Sequence, residues 1–86
     1  MPINVHHARP TELPKEWLDS KPLPDCMGCY ASWVVVRNVG GYHPFVTHMA
    51  YWNDERNEWG YEHGHYMVSL VDVAKDFEER CKKYGV

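Results

Sequence analysis

Five of the six prolines in this 86-residue chain lie within its first 24 positions, at 2, 10, 14, 22 and 24. Each removes a backbone donor and locks φ, so helices and ladders that cross such a segment are interrupted. The distribution predicts two parts: an extended, proline-rich arm over 1–25 and a single small domain over 26–86. Within the arm only Pro14 to Leu18 suits a helical turn, with Thr11 as its cap and Trp17 and Leu18 as its apolar contact. His6 and His7 are adjacent in this arm. In an extended backbone their side chains point to opposite sides, so both reach one ion only around a bend.

A domain of this size has a thin core, which a metal, a disulfide or a partner chain commonly supplements. With 44% apolar residues, four Trp and six Tyr, the composition is nonetheless globular. Ser32 to Val39 reads as a strand that is apolar on both faces, ended by Gly40 and Gly41. Phe45 to Trp52 alternates, with Val46, His48, Ala50 and Trp52 on one side and Phe45, Thr47, Met49 and Tyr51 on the other. A polar loop over Asn53 to Asn57 then leads to Glu58 to His63, with Trp59, Tyr61 and His63 on one face. Tyr66 to Val68 is a further short strand or the approach to the helix. That helix runs from Leu70 to Lys83, capped by Ser69, with Leu70, Val73, Ala74, Phe77, Cys81 and Tyr84 as its buried stripe. The expected fold is α+β: a small sheet of three to four antiparallel strands with one C-terminal helix packed on a face.

Cys26 and Cys29 form a C-x-x-C pair in a turn, the spacing at which two thiolates chelate one tetrahedral ion. The same spacing serves a dithiol redox site, but a strand-like run follows where such a site needs a helix N-terminus. A structural zinc ion is therefore the expected cofactor, with Cys81, or His63 and His65, completing the ligand set. Cys81 also suits a small buried hydrophobe on the helix stripe. An odd number of cysteines fits a reducing, cytoplasmic setting better than a disulfide framework.

A net charge of −3 without a basic stripe gives no bulk electrostatic reason to bind nucleic acid. There is no apolar run long enough for a membrane span, and the start of the chain lacks the apolar core of a signal peptide. No H-E-x-x-H helix, phosphate-cradling loop or nucleophile elbow is present. The aromatic residues instead favour a protein-interaction or regulatory module, an inhibitor for instance, that docks another protein through Trp52, Trp59, Tyr42 and Tyr61. A homodimer would cover the second apolar face of the central strand. The competing readings are a nucleic-acid-binding zinc module and a small metal-dependent hydrolase built on Glu62, His63 and His65.

Overall fold

The apolar run in the middle of the chain becomes the centre of a sheet. In a computed structural model, which describes residues 7–86, the elements are β1 (Trp17–Pro22), β2 (Ala31–Asn38), β3 (Phe45–Asn53), β4 (Glu58–Met67) and α1 (Leu70–Lys83). The four strands form one antiparallel sheet in the order β1-β2-β3-β4. Trp33, Val34, Val35 and Val36 of β2 are all buried, as a strand covered on both faces requires.

Local chemistry sets the turns. Gly40 and Gly41 take φ of +73° and +81°, and Val39 N–H donates to the Pro44 carbonyl at 2.7 Å, closing the β2–β3 link. In the β3–β4 hairpin the Asn53 side chain accepts from the amides of Glu55 and Arg56 at 3.1 and 3.0 Å.

Two features of the sheet depart from the expected pattern. Trp17–Pro22, within the proline-rich stretch, is an edge strand paired with β2, and Pro14 to Trp17 is a turn closed by Trp17 N–H on the Pro14 carbonyl at 3.3 Å. A sheet edge tolerates Pro22 because a missing donor there can face away from the ladder. The second concerns Glu58 to His63 and Tyr66 to Val68, which belong largely to a single strand. A bulge joins them: Thr47 pairs with His65 and Met49 with Glu62, leaving His63 and Gly64 opposite His48.

The helix starts as its cap predicts, with Ser69 Oγ accepting from Asp72 N–H at 3.1 Å. Val73, Phe77 and Cys81 pack on Val34 and Val36. The stripe is narrower than expected, because Leu70, Ala74 and Tyr84 are exposed, and Arg80 takes a buried position instead. Ala31, Trp33, Val35 and Ala50 form a separate core on the opposite face of the sheet. No helix among the described residues is long and apolar enough to cross a membrane.

Candidate functional site

All four tryptophans gather on the face away from the helix. Alternation puts Trp33 of β2, Trp52 of β3 and Trp59 of β4 on the same side, and Ala31 and Ala50 leave room above the sheet for large rings. Trp59 is the hub: its ring lies 4.7 Å from Trp17, 5.2 Å from Trp33 and 5.2 Å from Trp52, in edge or tilted orientations. Trp17 Nε1–H donates to Tyr61 Oη at 3.0 Å, so two polar tips satisfy each other within the cluster. Trp33 is buried beneath, whereas Trp17, Trp52, Trp59 and Tyr61 remain partly open to solvent. Arg9 reaches back from the arm, its guanidinium 5.4 Å from the Trp33 ring and paired with Asp25.

The cluster continues into a histidine–arginine pair. His48 is only 4% exposed, with its ring 5.0 Å from Tyr61 and its Nε2 accepting from Arg37 Nη2 at 3.3 Å. A guanidinium can only donate, so Nε2 is the unprotonated nitrogen of a neutral imidazole. Burial first, then the charges of Arg37 and Arg80, push the His48 pKa down to about 4. Arg37 also lies over Tyr61 at 3.9 Å, which ties the pair to the aromatic cluster.

A second, polar arrangement lies on the helix side of β4. His63 sits in the bulge at φ +54°, a conformation uncommon for a residue with a Cβ, and Arg80 donates to its carbonyl. Asp76 accepts from Thr47 Oγ1, meets His65 Nδ1 at 3.0 Å and lies 3.5 Å from Arg80 Nε. Burial raises the Asp76 pKa, but the hydrogen bonds from Thr47 and His65 and the charges of His65 and Arg80 outweigh it and hold the carboxyl below its usual range. His63, His65, Asp76 and Arg80 line an open cleft of about 330 Å³ that Glu79, Lys83 and Tyr84 complete.

The residues expected to hold zinc are not brought together. Cys26 and Cys29 are joined in a disulfide across their turn, with Cα atoms 5.4 Å apart, and a disulfide offers no thiolate to a metal. Cys81 is a free thiol packed in the helix-side core, where burial raises its pKa. His63 and His65 face the β4–α1 cleft, and His6 lies outside the described residues. Of the four expected docking residues, Trp52, Trp59 and Tyr61 share the aromatic face. Tyr42 does not: it is 88% exposed on the β2–β3 link, next to His43. Seven residue steps along β2, from Ala31 to Asn38, separate that end of the sheet from the Trp52 end, about 24 Å at the rise of an extended strand.

Sequence reasoning passed over Trp17, Trp33, Asp76 and Arg80 as site residues. For Asp76 and Arg80 a local signal existed, an i,i+4 acid–base pair on one helix flank. For Trp17 there was none, since its partners come from strands far along the chain. Comparison of the chain with family models, curated proteins and solved structures gives no match.

Proposed function

We propose that this chain is a small protein-interaction module whose docking surface is the aromatic face built by Trp17, Trp52, Trp59 and Tyr61. One observation carries the reading: these partly open rings collect on the sheet face that α1 leaves uncovered. Large rings with few rotatable bonds lose little entropy when a partner settles on them, and here edge-to-face packing already holds them in place. The partner is a protein that presents apolar side chains to the rings. Nucleic acid is disfavoured by the net charge of −3 and the absence of a basic stripe.

A second copy of the chain is the alternative occupant of the same face. Association through sheet edges is the weaker route, because β1 ends in Pro22 and β4 carries a bulge together with Glu58 and Glu62. Sedimentation at several concentrations separates a self-associating chain from a monomer.

The deciding experiment is affinity capture from the native host with the wild type, Trp52→Ala and a helix-face control, Glu78→Arg. Trp52 suits the test because it lies at the rim of the cluster, in ring contact with Trp59. The expected result is a partner held by the wild type and the control but lost from a folded Trp52→Ala protein. Undiminished capture of that partner by Trp52→Ala contradicts the proposal.

A further inference from the structure

Away from the aromatic face and the β4–α1 cleft, the start of the described chain is tied to the β3–β4 hairpin by three potential metal donors. His7, Asp54 and Glu55 place a ring nitrogen and two carboxylate oxygens within 4.8 Å of one another. Each donor is oriented by a second contact. Asp54 Oδ2 accepts from Ala8 N–H at 2.7 Å, which leaves Oδ1 facing His7 Nδ1 at 2.8 Å. Glu55 Oε1 accepts from Tyr30 Oη at 2.6 Å. The His7 ring is held 4.3 Å from the Tyr30 ring, and its side chain is only 11% exposed. Asn53 fixes the turn beneath by accepting from Glu55 and Arg56 N–H. Groups that hydrogen-bond a ligating carboxylate from its far side, as the Ala8 amide and the Tyr30 hydroxyl do here, are the usual outer shell of a metal site.

We propose that His7, Asp54 and Glu55 bind one first-row divalent transition-metal ion, zinc foremost, and that the ion clamps the arm to the β3–β4 hairpin. An imidazole nitrogen favours such an ion over calcium or magnesium, and two carboxylates neutralise its charge. Three protein donors leave a position for water. Metal binding here displaces the proton between His7 and Asp54.

The test uses full-length, tag-free, oxidised protein stripped with chelator and titrated with zinc by calorimetry. The expected result is one equivalent bound, weakened at least tenfold in His7→Gln and in Asp54→Asn. Binding should survive in a Cys26→Ser/Cys29→Ser protein and in a His63→Gln/His65→Gln protein. Paramagnetic broadening by manganese(II) locates the ion without relying on variants, and should centre on the amides of Ala8, Tyr30 and Glu55. No binding, wild-type affinity in both His7→Gln and Asp54→Asn, or broadening centred on the β4–α1 cleft would each overturn the site. Zinc that binds only after reduction, and is lost with Cys26 and Cys29, would assign the metal to the cysteine turn instead.

Discussion

Trp17 and Tyr61 lie on strands at opposite edges of the sheet, yet the indole N–H of one donates to the phenol oxygen of the other at 3.0 Å. Three strand spacings amount to about 14 Å in a flat sheet, so the contact uses nearly the full reach of both side chains, helped by the twist of the sheet. Their rings close over the face away from the helix, packed against Trp33 and Trp59. Removing either partner leaves a polar tip without its mate, so Trp17→Phe and Tyr61→Phe should each cost about 1 kcal/mol. In a chemical-denaturation double-mutant cycle the pair should couple, whereas strict additivity would deny the contact.

On the helix side, Phe77 joins Val73 and Cys81 against Val34 and Val36. Phe77→Ala should lower unfolding stability by about 3 to 5 kcal/mol, from lost transfer energy and a residual cavity. A loss under about 1 kcal/mol in a two-state protein would count against this packing.

The fold carries an acid sensitivity in His48. Its folded pKa of about 4 lies below the unfolded value near 6.5, so the unfolded chain binds the proton more readily between those limits. The contribution is fully present above about pH 6.5 and declines as pH falls towards 4, by up to about 3 kcal/mol. Denaturation midpoints across this range should fall in the wild type and flatten in His48→Gln. An equal slope in both proteins would place the sensitivity elsewhere.

Asp76 acts in a lower window. Its folded pKa is depressed, so its contribution is present above the unfolded carboxyl value near 4 and is lost as pH falls through the folded value. Asp76→Ala should cost about 3 kcal/mol at neutral pH, because buried Arg80 loses its carboxylate partner. An Asp76→Ala/Arg80→Met protein should recover part of that loss, and no recovery would argue that the pair is not coupled.

The elements legible in the sequence were those set by short-range pattern. Alternation in Phe45 to Trp52, the apolar run at Val34 to Val36 and the Ser69 cap correspond to β3, β2 and α1. β1 escaped notice because proline density argues against ladders in general, whereas one edge position tolerates Pro22. β4 looked broken at Gly64 because a bulge inserts a residue and shifts the alternation. The phase of each strand placed Trp52 with Ala50, and Trp59 with Tyr61, but nothing local linked them to Trp17. At the cysteines, C-x-x-C spacing serves both two thiolates on one ion and a short disulfide loop, so spacing alone could not separate zinc from the bond between Cys26 and Cys29.

An apolar groove between β1 and α1 sharpens the central claim by offering a different surface, with Leu18 53% and Leu70 58% exposed at its rim. Chemical-shift mapping of the labelled protein bound to its captured partner distinguishes the two directly. The indole N–H signals of Trp17, Trp52 and Trp59 and the Tyr61 amide should move or broaden, while the amides of Leu18, Leu70 and Glu78 stay in place. Shifts confined to Leu18, Leu70 and the helix, with the indole signals unmoved, would contradict docking on the aromatic face.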